Sequence, residues 1–127
     1  MEEDKVITVN SHTKIGDVQT AFEVYYPFLK IEFSKNSLAI FSKTHKVSAD
    51  ILIGKISHFS ASVNLKVGVD RTIDEVEKDC YELLGLSTQI CRKSGNVWNP
   101  ISITNSWTLQ SQNSAGEFIS TEMQKVV

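Results

Sequence analysis

The sequence predicts an α+β fold in which a mixed β-sheet carries two helices on one face. Three observations predict it. The stretch "VNLKVGV" alternates apolar and polar residues with the period of a half-buried strand. "VDRTIDEVEKDCYELLGL", directly after it, has the spacing and end signals of an amphipathic helix. The same pattern of apolar positions also occurs 58 positions earlier in the chain, with Ile15 matching Ile73.

In chain order, Ile7 and Val9 mark a first strand, matching Leu65 and Val67 of the later one. Ile15, Val18, Phe22, Tyr25 and Tyr26 then share one helical face, as Ile73, Val76, Cys80, Leu83 and Leu84 do in the second half. Pro27 stops the first helix because it cannot continue the hydrogen-bond ladder, and Phe28 follows it as Leu86 follows Gly85. "LKIEFSK" reads as a strand with Leu29, Ile31 and Phe33 on one side. "SLAIF" is expected to pair back on it through a turn at Lys35, Asn36 and Ser37, and "ADILIGKIS" reads as a short strand or helical turn around Gly54.

In the second helix Thr72 and Glu75 form a capping box, each side chain meeting the other's free backbone N–H. Gly85 can adopt the left-handed conformation that closes the helix, with Leu86 folding back on the last turn. "QICRKSGNVW" reads as a hairpin turning at Lys93-Ser94-Gly95-Asn96, and Asn99-Pro100 ends its second arm. "NSWTLQSQN" is expected to be a short capped helical turn, with Trp107 and Leu109 plugging the open end of the core. The tail, about 114–127, is expected to fray after an edge strand at Phe118 and Ile119.

Two strand-helix-strand units, about 5–35 and 63–93, therefore fall within one 127-residue domain. A ferredoxin-like arrangement is the leading topology, with tandem β-grasp units as the alternative; the pairing of the central strands decides between them.

The formal net charge of −2 and the scattered Lys and Arg argue against a general nucleic-acid-binding surface. The opening "MEEDKVITVN" is acidic and has no basic-then-apolar leader pattern, and no apolar run is long enough to span a bilayer, so a cytoplasmic protein is expected. Cys80 and Cys91 are read as free thiols of a reducing compartment.

No spacing along the chain meets the demands of a known chemistry. Cys91 has Val97 where a phosphatase loop would carry its arginine, and the adjacent Arg92 falls on the opposite face of the strand. His12, His45 and His58 are too far apart for a local metal motif. "LIGKIS" lacks the first glycine of a phosphate loop and its magnesium-binding hydroxyl. The acids Asp70, Asp74, Glu75, Glu77, Asp79 and Glu82 read as a solvated helix face, with Asp74 four residues before Lys78. No catalytic residue, cofactor or metal is assigned.

At "YYPFLKIEF", "LLGLSTQICRKSGNVW" and "WTLQSQN" the chain resembles a group of small bacterial α+β proteins. The resemblance is close from about Ile73 to Gly116 and loose before that. It departs at "NPISITNS", where the relatives are more acidic, and it implies a fold class without implying catalytic residues, a cofactor or a partner. The expected function is non-enzymatic: binding to a protein partner or to itself through Arg92, Lys93 and Trp98 or a free strand edge. The alternatives are a single-stranded nucleic-acid-binding face using Trp98, Arg92, Lys93 and Lys66, and an enzyme whose distant residues meet only in space, such as His58 with Cys91.

Overall fold

The computed structural model describes residues 5–34, 46–57 and 62–125. The expected turn at Lys35-Asn36-Ser37, the "SLAIF" strand, His45 and His58 lie outside the described residues. The elements are strands β1 (Val6–Val9), β2 (Leu29–Ser34), β3 (Val63–Lys66), β4 (Ser87–Ser94) and β5 (Val97–Pro100), and helices α1 (Ile15–Tyr25), α2 (Ile73–Leu84) and α3 (Leu109–Lys125). A 3-10 turn at Ile53–Lys55 is the element around Gly54.

The α+β class holds, but the sheet is not mixed. β1 pairs with β3, β2 pairs with β4, β4 pairs with β5, and every pairing among the described residues is antiparallel. Each of α1 and α2 thus carries the chain from one sheet to the other instead of returning it to a parallel neighbour. This removes the ferredoxin-like topology, which needs parallel crossovers within one sheet. The reason lies in the repeat. Two copies of a strand-helix-strand unit can bury their helix faces together by pairing like strands about a two-fold axis, and an antiparallel pair is itself two-fold symmetric. Ile7 and Leu65, equivalent in the repeat, are direct cross-strand partners. Across β2 and β4 the partners Ile31–Ile90 and Glu32–Gln89 exchange under the same relation.

The two halves share one core. Ile15, Val18, Phe22 and Tyr26 from α1 meet Ile73, Val76, Cys80 and Leu84 from α2, over Ile7, Val9, Leu29, Ile31, Phe33, Leu65 and Ile90 from the strands. Tyr25 and Leu83, equivalent in the repeat, both sit at the margin; Leu83 is exposed and Tyr25 partly buried, its hydroxyl donating to the Val6 carbonyl. Tyr26 is buried and donates to the carbonyl of Val67. The ends of α2 are as expected: the Thr72 hydroxyl accepts from the Glu75 amide at 3.1 Å, the Glu75 carboxylate accepts from the Thr72 amide at 2.9 Å, and Gly85 has φ +68°.

The repeat extends further than its apolar positions. The first two amides of α1 donate outward, Ile15 to the Ile51 carbonyl and Gly16 to that of Ala49. Those of α2 do the same, Ile73 to Trp107 and Asp74 to Asn105. In return Ile53 and Gly54 donate to Thr13 and Ser11, and Leu109 and Gln110 to Arg71 and Val69. The turn at Ile53–Lys55 is therefore the counterpart of the start of α3, cut to one turn.

Two expectations for the C-terminal third are corrected. Residues 114–125 are neither frayed nor an edge strand, because they continue α3. The buried face of that helix is Leu109, Gln112, Gly116 and Ser120, a helical spacing in which one of four residues is a large hydrophobe. Polar contacts dock it instead: Gln112 donates to the Thr104 carbonyl, Asn113 accepts from the Phe28 amide at 2.8 Å, and Ser120 accepts from the Gly95 amide at 3.2 Å. Trp107 is not a core plug. Its backbone carbonyl is held by the start of α2 and its side chain is 45% exposed, while Leu109 is fully buried.

Close approach at Gly116 depends on the missing side chain, since a Cβ there would lie 2.9 Å from the Phe28 Cβ and 3.1 Å from the Arg92 Cγ. Gly116→Ala is expected to cost about 1–3 kcal/mol of unfolding free energy through overpacking, outweighing the ~1 kcal/mol that alanine gains at an open helical position. Urea unfolding of the two proteins, followed by circular dichroism, measures the difference.

Candidate functional site

The β4–β5 hairpin turns through Gly95 and Asn96. Gly95 has φ +65° and Asn96 does not adopt positive φ, the pattern of a two-residue turn with glycine first. Ser94 then faces Val97, and Lys93 faces Trp98. Side chains alternate along each strand, so Lys30 and Glu32 of β2, Cys91 and Lys93 of β4 and Trp98 of β5 project from one side of the sheet. Arg92 projects from the other.

The three residues marked in the sequence are therefore split. Lys93 and Trp98 form a cross-strand pair, with the Lys93 ammonium 5.9 Å from the centre of the indole. Arg92 turns toward α3 and donates to the buried Gln112 side chain at 2.9 Å, so it anchors the helix and is not part of this surface. Lys30, which sequence reading did not mark, takes its place, its ammonium also 5.9 Å from the indole centre. Such cation–aromatic contacts contribute about 0.5–1 kcal/mol at exposed sites. Lys66, placed in the alternative nucleic-acid face, lies on β3 in the other sheet.

Beside the indole, Glu32 is 8% exposed and bridges Lys46 at 2.8 Å and Lys30 at 3.3 Å. The surface thus gathers Lys30 and Lys93 at the indole and Lys30 and Lys46 at the Glu32 carboxylate. Lys30 and Glu32 occupy alternate positions of an ordinary-looking strand, and only the register that sets Lys30 beside Cys91 brings them to the hairpin.

The backbone at this edge is equally specific. The Lys93 amide donates to the Phe28 carbonyl on the β2 side, and the Ile101 amide donates to the Ile90 carbonyl on the β5 side. By the alternation of an antiparallel ladder, Lys93–Trp98 and Cys91–Pro100 are non-hydrogen-bonded pairs. The Trp98 N–H and C=O and the Pro100 C=O therefore point away from the sheet, and among the described residues no donor or acceptor meets them.

Cys91 lies in the same face but is only 4% exposed, and burial, reinforced by Glu32, pushes its thiol up to about 11. Burial pushes Cys80 up to about 12. Both thiols are free and protonated at neutral pH, the opposite of an activated nucleophile. Among the described residues no group of three or more His, Cys, Asp or Glu side chains could hold a metal ion, and His12 is exposed. A shallow hollow of about 400 Å³ over α1 is lined by Thr20, Glu23, Val24 and Pro27, with Glu23 its one charged group.

One acid of α2 departs from the solvated helix face. Glu77 turns to β4, and its carboxylate accepts from the Ile90 amide at 2.9 Å, standing in for the carbonyl that β5 would supply if it continued. Burial raises its carboxyl to about 7, against the lowering effect of that hydrogen bond and with a smaller raising contribution from Asp74. Asp79 instead pairs with Arg71, and hydrogen bonds from Thr72 hold the Glu75 carboxyl below the usual range.

No family model matches the chain, and no curated protein or solved structure matches it either. Among the described residues no helix is long and apolar enough to cross a membrane.

Two predictions follow from these carboxyl and thiol environments. Because folding raises the Glu77 carboxyl from 4.5 to about 7, its stabilising contribution is complete below pH 4.5 and is lost as pH rises through 7. Glu77→Gln keeps an acceptor for the Ile90 amide without the charge, so its melting temperature should exceed that of the wild type at pH 8, the gap closing toward pH 4.5. Scanning calorimetry across that range reads the gap. A thiol-specific reagent at pH 8 should label neither Cys80 nor Cys91 in the folded protein and both in denaturant.

Proposed function

We propose that this chain is a non-enzymatic protein-interaction module that binds through the outer face of the β4–β5 hairpin. One observation carries the reading: at Trp98 an indole flanked by Lys30 and Lys93 coincides with a backbone N–H and C=O that no neighbour among the described residues satisfies. Aromatic anchors ringed by charge are typical of the few residues that dominate binding energy, and a free strand edge offers main-chain hydrogen bonds as well. A cytoplasmic setting belongs to the same proposal and is supported by the two unpaired thiols.

Binding of single-stranded nucleic acid is the weaker reading. The indole between two lysines favours it, since base stacking and phosphate contacts use the same groups. The net charge of −2, the pairing of Lys30 and Lys46 with Glu32 and the placement of Arg92 and Lys66 elsewhere weigh against it.

Trp98→Ala tests the proposal directly. The side chain is only partly buried, so the variant should stay folded and lose about 1 kcal/mol of stability. Proteins captured from lysate by the immobilised wild type should be lost with Trp98→Ala and retained with the distant control Lys66→Ala. Identical captured sets for wild type and Trp98→Ala would overturn the reading.

A further inference from the structure

Building on the interaction surface just proposed, we infer that its partner is an extended acidic segment of another protein, added as a short antiparallel strand along β5. The free edge sets the geometry. Trp98 turns both its N–H and its C=O outward, and a residue opposite it in a hydrogen-bonded pair would exchange both bonds. Pro100 adds one acceptor and no donor, so the footprint is three backbone hydrogen bonds over a few residues.

Side-chain selection follows from the same register. Residues directly opposite in a sheet point to the same face, so the partner residue facing Trp98 would lie alongside the indole on the lysine-bearing side. The ammonium groups of Lys30 and Lys93 are each 5.9 Å from the indole centre. Glu32 already pairs with Lys30 and Lys46, while Lys93 has no carboxylate partner among the described residues. With Lys30 and Lys46 already on Glu32 and Lys93 left without a carboxylate among the described residues, the indole and Lys93 favour a carboxylate from outside, most directly a glutamate at the position facing Trp98 or two residues from it.

Charge also argues against a second copy of this chain. Trp98 alone on this edge turns both a donor and an acceptor outward, so self-pairing would be centred on Trp98 facing its own counterpart. Lys30 and Lys93 from both copies would then crowd around two adjacent indoles, and like charges brought together across strands repel.

The test uses the intact chain and a labelled peptide of about six alternating valine and glutamate residues, followed by fluorescence anisotropy. Saturable binding is expected, weakened about tenfold or more by Lys93→Glu, by Trp98→Ala and by N-methylation of alternate peptide amides. Equal affinity for the N-methylated peptide would overturn strand addition. Equal affinity for a valine-lysine peptide would overturn the acidic preference. Tighter, salt-sensitive binding of an oligothymidylate would assign the face to nucleic acid, and a dimer lost in Trp98→Ala would assign it to a second copy. If no acidic peptide binds up to about 1 mM while Trp98-dependent capture from lysate persists, this inference fails and the broader interaction reading stands. Loss of that dependence would end the broader reading as well.

Discussion

The first two amides of α1 and of α2 are the points on which the rest of the fold depends. A helix begins with backbone donors that its own turns cannot satisfy, and both helices start beside the core, where leaving those donors unpaired is costly. In each half the chain returns after its second strand and lays carbonyls on those amides, Ala49 and Ile51 for α1, Asn105 and Trp107 for α2. That return fixes where each trailing segment begins. In the second half it places Leu109 in the core, starts α3 and requires the chain to leave the sheet after Pro100.

The early departure of β5 shapes two neighbouring environments on β4. Beyond the end of β5 the Ile90 amide would lack an acceptor, and Glu77 reaches from α2 to provide one, with its carboxyl displaced toward neutrality by burial. Along β5 itself no further strand pairs among the described residues, and the Trp98 backbone faces outward there. Glu32 shows the contrasting case of a buried acid, held between Lys30 and Lys46. An acid on β2 facing two cations and an acid on α2 facing a backbone amide of β4 are thus each suited to their partner.

What could be read from the sequence followed from local rules. The capping box of Thr72 and Glu75, the Gly85 cap, the turn at Gly95-Asn96 and the matched apolar positions of α1 and α2 are all set within a few residues, and the structure has each of them. Strand pairing is not local. The repeat was visible, but its two-fold meaning, with Ile7 against Leu65, depends on which strands meet in space. The start of α3 is read as a helical turn at "NSWTLQSQN", but its continuation past Asn113 is not legible because its buried face there is Gly116 and Ser120, so hydrophobic periodicity has almost nothing to register. At the candidate site, Lys93 and Trp98 follow from hairpin alternation. Lys30 and Glu32 required the register with β4, and Arg92 was separated from them by the same alternation that had already set it apart from Cys91.

Pro100 has a further consequence for the behaviour of the chain at high concentration. Open-ended stacking of copies, as in fibril growth, needs an edge that offers donors and acceptors in register along its whole length. Here the edge offers one amide before the proline interrupts it, and the chain then turns away at Ser102–Asn105 to meet α2. A short visitor can be accommodated on such an edge, but a growing sheet has no template to copy there, so the residue that shortens the binding footprint also guards the β5 edge against edge-to-edge polymerisation.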